Sequence, residues 1–167
     1  MINRLGVYAP LAAYVNGAVG LLGAALLLTF FAVGQPFGTL NDMTALPWAV
    51  AMVPIMLALF DFTRTRASTA RVFGLIAGLM GLLGVFVFQT LLVLGLMTFS
   101  QELPYVNASY ALIGVWFLVF HRLAHPSPIA PRGLASFGLG IGIAWVLGAI
   151  LAWMGGWPTF VDGSAFD

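Results

Sequence analysis

The stretch Val72–Phe99, VFGLIAGLMGLLGVFVFQTLLVLGLMTF, decides how the chain folds. Nearly every residue in it is apolar; Arg64, Arg66 and Arg71 precede it, and Ser100-Gln101-Glu102 ends it. Helical rise converts about 28 residues into about 42 Å, against a bilayer hydrocarbon core of roughly 30 Å, so the stretch predicts a membrane-spanning helix that tilts or protrudes. At about 100° per residue, Gly74, Ala77, Gly78, Gly81, Gly84 and Gly95 share an arc of about 120°. A seam of small residues lets helix backbones approach closely in lipid. This helix is therefore the expected centre of a membrane bundle and its most contacted element.

Composition agrees. A hydrophobic content of 62%, a charged content of 7% and a mean hydropathy of +1.06 exclude a soluble globular domain. Residues 1–167 read as a single transmembrane helical domain. A net charge of +1 offers no electrostatic footprint for nucleic acid. The chain has no cysteine, which removes disulfides, thiolate metal sites, iron–sulfur clusters and cysteine nucleophiles. It has no lysine either, which removes Schiff-base chemistry. No cofactor is implied.

Five spans are predicted, at about residues 11–33, 45–62, 72–99, 105–123 and 134–154. The first is too long for the apolar region of a signal peptide, although Ala32-Val33-Gly34 has a small-x-small pattern. Gly34–Thr44 reads as a loop in which Asn41 or Asp42 caps the next helix. Pro47 falls in or near the first turn of the second span, and Pro54 predicts a kink in its middle. Asp61–Arg71 reads as a polar loop, Ser100–Pro104 as a tight turn, and Pro126, Pro128 and Pro131 as an extended connector.

The arginines give an orientation. All six (Arg4, Arg64, Arg66, Arg71, Arg122, Arg132) fall at the N-terminus, in the second loop or in the fourth, which five spans place on one side. The positive-inside rule then puts the N-terminus in the cytoplasm and the C-terminus outside. Asp42, Glu102, Asp162 and Asp167 fall on the opposite side, and Trp48, Tyr105, Trp153 and Trp157 form an expected aromatic belt there. The expected class is an all-α, multi-pass integral membrane bundle of five transmembrane helices in the cell inner (plasma) membrane.

With these boundaries no ionisable side chain lies in the middle of a span, which argues against proton relays and ion-coupled transport. Asp61 reads as a helix-end carboxylate, exposed or paired with Arg64. In the fourth span Asn107, Tyr110, Ala111, Gly114, Phe117, Leu118, His121 and His125 share about 120° of arc, a face expected to point into the bundle. Gln89 and Tyr110 sit at similar depth and predict a hydrogen bond between the third and fourth spans. Gln89, Asn107 and Tyr110 are polar glue between helices, or ligand-binding residues if a small polar cavity forms there. His121 and His125 have the i, i+4 spacing of metal ligands, but Asp61 is the one further ligand expected on that side, and no metal is assigned. Small-residue seams recur at Ala13, Gly17, Gly20 and Ala24 in the first span, beside Asn16, and at Gly138 and Gly142 in the fifth. Together with Gly74, Gly78 and Gly81 they are the expected helix-packing positions. Met52 and Met56 read as soft core residues.

One segment has the look of a motif. Pro36-Phe37-Gly38-Thr39-Leu40-Asn41-Asp42 combines a turn, an aromatic ring and two helix-capping side chains. Here the chain resembles small polytopic bacterial membrane proteins in which a P-F-G-T-x-N-D-like loop follows the first span. The resemblance implies a bacterial plasma-membrane protein and brings no catalytic residues. Asn41 and Asp42 are also candidates for an outward-facing contact. The expectation is a non-enzymatic protein that works through helix packing, as an accessory subunit or self-associating scaffold. Its partners would be membrane lipids and other membrane subunits or copies of itself. The alternative is a carrier or binder of a small apolar or lipid-like molecule near Gln89, Asn107 and Tyr110, which requires an internal cavity. An enzyme is not expected, because the sequence offers no nucleophile–base pair, metal cluster or glycine-rich phosphate loop.

Overall fold

The computed structural model describes residues 6–65, 68–124 and 132–154. A short 3-10 turn, Gly6–Tyr8, leads into five helices: α1 (Ala9–Val33), α2 (Phe37–Phe62), α3 (Ser68–Val93), α4 (Phe99–Ala124) and α5 (Arg132–Trp153). No strand occurs among the described residues. Each helix is long and apolar enough to cross a bilayer. Because lipid offers no partner for backbone N–H and C=O groups, continuous helices are what such a sequence must form. The chain is a multi-pass integral membrane protein.

The helix ends depart from expectation in one direction: polar segments expected as loops are helical. α2 begins at Phe37, so the 34–44 loop shrinks to Gly34–Pro36, and Asn41 and Asp42 lie inside the helix rather than capping it. The capping role falls to Gln35, whose Oε1 accepts the Thr39 N–H at 3.2 Å and lies 3.3 Å from the Thr39 hydroxyl. Pro47 and Pro54 are both interior to α2. Trp48 is displaced with them. It sits eleven residues along α2, about 16 Å from the start, and so does not belong to an interfacial belt.

α3 stops at Val93, short of Phe99. Gly95, at φ +69°, reverses the chain: its N–H donates to the Leu92 carbonyl and the Leu96 N–H to the Leu91 carbonyl, both at 2.9 Å. This pair of bonds is the Schellman arrangement, and only glycine holds the left-handed position without strain. Gly95 is a cap, not part of the seam. α4 then starts six residues earlier than expected. The Thr98 Oγ1 accepts the Gln101 N–H at 3.4 Å, and the Gln101 Oε1 accepts the Thr98 N–H at 3.0 Å. That reciprocal capping box turns the expected Ser100–Pro104 turn into the first turns of α4.

Close packing joins α1 to α2, α2 to α3, α3 to α4 and α4 to α5. The centre of the bundle is α4 rather than α3, because α4 is gripped on two faces. On one face, a Cβ at Gly78 would lie 2.8 Å from the Trp116 ring, one at Gly74 2.9 Å from Val119, and one at Gly81 2.6 Å from the Ser109 carbonyl. On the other, Gly114 and Gly142 face each other: a Cβ on either would lie 3.0 Å or less from the carbonyl oxygen of its partner. Gly138 makes room for the His121 ring. Met52, Met56, Val85, Ile113, Trp116 and Phe120 fill the core between α2, α3 and α4.

α1 is held differently. A Cβ at Gly17 would meet nothing within 4 Å, and one at Gly20 only the Trp48 ring at 4.0 Å, so the expected seam on α1 makes no tight helix contact within the chain. Asn16 supplies the tie, donating from Nδ2 to the Trp48 carbonyl at 3.1 Å. At the opposite end of the bundle, the Arg71 guanidinium lies 4.3 Å over the Phe60 ring and reaches the Phe60 carbonyl at 3.5 Å. It anchors the start of α3 to the last turns of α2. Asp61 accepts the Arg64 N–H through its backbone carbonyl at 3.1 Å and is half-buried at the end of α2, with no side-chain ion pair to Arg64 among the described residues.

Candidate functional site: a cleft between α1 and α5

Where α1 and α5 run past each other, both carry small residues: Gly20, Gly23 and Ala24 on α1, and Ala144, Gly148 and Ala149 on α5. Gly23 packs closely on α2, where a Cβ would lie 2.7 Å from the Thr44 hydroxyl oxygen, but a Cβ at Gly20 would meet only the Trp48 ring at 4.0 Å and one at Gly148 nothing within 4 Å, which leaves space. The result is a half-open cleft of about 640 Å³, lined by residues from all five helices. Gln89, Asn107 and Tyr110 line it, and so do Asn41 and Asp42. Two groups of residues singled out separately in the sequence therefore share one cavity. The helical start of α2 is what brings them together, since it draws Asn41 and Asp42 inward from the expected loop.

The cleft is graded along its depth. Measured from their helix ends, Asp42 lies about 8 Å in, Gln89 about 6 Å, Trp145 about 12 Å, and Trp48 and Tyr110 about 16 Å. The mouth is therefore polar and the floor aromatic. Trp48, Tyr110 and Trp145 form a closed trio with ring centroids 5.9, 6.3 and 5.3 Å apart. Tilted and edge-on contacts of this kind are favourable beyond the area they bury.

Holding the Tyr110 ring in that trio has a consequence for Gln89. The expected hydrogen bond between them is not made: Gln89 is 7% exposed, and its Oε1 is buried without a partner. The face of α4 that contacts α3 is also not the one expected. Ser109, Ile113, Trp116 and Phe120 are buried, while Asn107, Tyr110, Phe117 and His121 are half-buried on the side of α5 and the cleft. Ser109, whose hydroxyl donates to the Tyr105 carbonyl at 2.7 Å, sits in the α3 contact.

Glu102 is the residue that sequence reasoning missed. Once Ser100–Pro104 is helix, its side chain turns inward, to 1% exposure, and one carboxylate oxygen has no hydrogen-bond partner. Its charge and that of Asp42 are close enough to interact, and both act on Tyr110. Among the described residues no ion pair neutralises either acid. The signal was present: Thr98-x-x-Gln101 is a capping-box spacing, and reading it would have placed Glu102 within a helix. A second depression of about 440 Å³, between α4 and α5, shares Asn107 with the cleft and is bordered by Pro104 and Trp153.

The histidine pair does not gather ligands. The His121 Nδ1 lies 2.9 Å from the Phe117 carbonyl, and its ring stacks on Phe117 at 5.2 Å; His125 lies outside the described residues. Among the described residues, no group of three or more His, Cys, Asp or Glu side chains converges on a point. No protein-family model, curated protein or solved structure matches the chain.

Proposed function

We propose that this is a non-enzymatic membrane protein that binds a small, mostly apolar or lipid-like molecule in the cleft between α1 and α5. The observation that carries the reading is the cleft itself: about 640 Å³ of space with an aromatic floor and a few convergent polar groups, which is how small-molecule sites are built. A carrier or binder needs such a cavity, and a solid bundle would have none. With the arginines in the cytoplasm, as the positive-inside rule directs, the polar mouth opens on the outer side of the plasma membrane.

The reading as an accessory subunit or self-associating scaffold keeps one supporting observation. Gly17 and Gly140 lie on surfaces where a Cβ would meet nothing, so a neighbouring helix could approach there. The other glycine seams, at Gly74, Gly78, Gly81, Gly138 and Gly142, are occupied by contacts within the chain and offer no partner interface.

Tryptophan emission separates the two. Trp48 and Trp145 line the cleft, so an occupant alters two of the five tryptophans. Adding a lipid extract of the host membrane to delipidated protein should change the emission saturably. Gly148→Phe, which fills the cleft without a backbone clash, should abolish the response; Gly140→Phe, outside the cleft, should leave it intact. A response untouched by Gly148→Phe would refute the cleft as the binding site.

A further inference from the structure

We infer that the ligand is an amphiphilic monocation whose ammonium group sits at the mouth of the cleft, with its apolar body on the aromatic floor. The inference rests on the cleft being a binding site and adds the chemistry of what it holds. Three observations support it. First, Gln89 lines the cleft and is 7% exposed with its Oε1 unbonded, and a buried Glu102 carboxylate oxygen is unbonded as well. A buried acceptor without a donor is costly, and a ligand with N–H groups would satisfy the Gln89 oxygen.

Second, the Asp42 and Glu102 carboxylates lie within reach of each other's charge, and among the described residues no cation pairs with them. The described arginines, Arg64, Arg71, Arg122 and Arg132, all fall at the opposite end of the bundle, by the last turns of α2 and α4 and the first turns of α3 and α5. One positive charge in the cleft beside Asp42 would offset the repulsion between the two acids in a medium that screens poorly. Third, polar and apolar groups are separated along the cleft. Asp42 and Trp48 are six residues apart on one helix, about 9 Å along its axis. A compact ion would leave the aromatic floor empty, whereas a chain bearing a terminal ammonium matches both levels. The faces of Trp48, Tyr110 and Trp145 also accommodate cationic and apolar groups alike.

The test uses full-length protein in zwitterionic phosphatidylcholine nanodiscs, so that the membrane itself does not favour a cation. Tryptophan emission is followed during titration at neutral pH with n-octylammonium and, separately, with n-octanol. These probes share a chain length and differ in charge. Octylammonium should half-saturate at least about tenfold lower than octanol, the worth of one charge-assisted hydrogen bond. Asp42→Asn should bring the two within about threefold by weakening octylammonium alone. Equal half-saturation in the wild-type protein would overturn the cationic assignment and leave the binding site standing. A saturable response to neither probe would overturn both. A response to Ca²⁺ with none to octylammonium would make the acidic pair a metal site and overturn the amphiphile.

Discussion

Individual glycines in this protein carry different jobs that their shared spacing conceals. Gly78 is a contact position: a leucine there would drive its Cβ into Trp116, which is 1% exposed and enclosed by the core. Overpacking of this kind costs about 1–3 kcal/mol, so Gly78→Leu should lower the thermal midpoint of the isolated chain in detergent. Gly17→Leu, where a Cβ meets nothing, should change it by less than about 0.5 kcal/mol. The glycine arcs were visible in the sequence, as were Gln89, Asn107 and Tyr110. Which glycine touches a neighbour was not, because an arc on one helix does not say what lies opposite. Glu102 was hidden for another reason: a residue assigned to a turn is assumed to be solvated, so its burial followed from the helix boundary and not from its own identity.

Helix ends are the level at which sequence and structure diverge most. The five apolar cores were plain from length and hydropathy, but each polar end required choosing between loop and helix. Two devices decide the ends of α3 and α4. Replacing Gly95 by alanine puts a side chain in a left-handed position and should cost about 1 kcal/mol. Thr98→Ala removes the hydroxyl half of the capping box, for about 1 kcal/mol more. Both variants should lower the midpoint of thermal unfolding, and Thr98→Ala should also raise amide exchange in residues 99–102. If exchange there stayed unchanged, something other than the capping box would be holding Glu102 inside the bundle. Thr98-x-x-Gln101 was legible, yet an apolar run extending to Phe99 outweighed it. An extended α2 start was harder to read, since its cap is a glutamine, a residue that seldom marks a helix N-terminus.

At the scale of the whole molecule, the cleft arises from helices far apart in sequence. α1 and α5 each contribute small residues to it, and a Cβ at Gly20 or at Gly148 would meet nothing closer than 4.0 Å. No local pattern encodes that space. It emerges when α4 takes the centre, binds α3 through one seam and α5 through another, and leaves α1 attached mainly to α2. The polar mouth and aromatic floor are a consequence of the same arrangement, since α2 passes through both levels and α4 supplies Asn107 and Tyr110 beside it. This division of labour places the cleft in the gap between helices rather than in any one of them.

Native mass spectrometry of the chain extracted in mild detergent from its own membrane, without overexpression, decides whether the cleft is occupied. A 17.8 kDa chain carrying a reproducible small adduct is expected. The adduct should disappear in Gly148→Phe and persist in Gly140→Phe. A defined multimer or a complex with a foreign subunit, free of any adduct and indifferent to Gly148→Phe, would contradict this expectation and return the protein to a role in assembly.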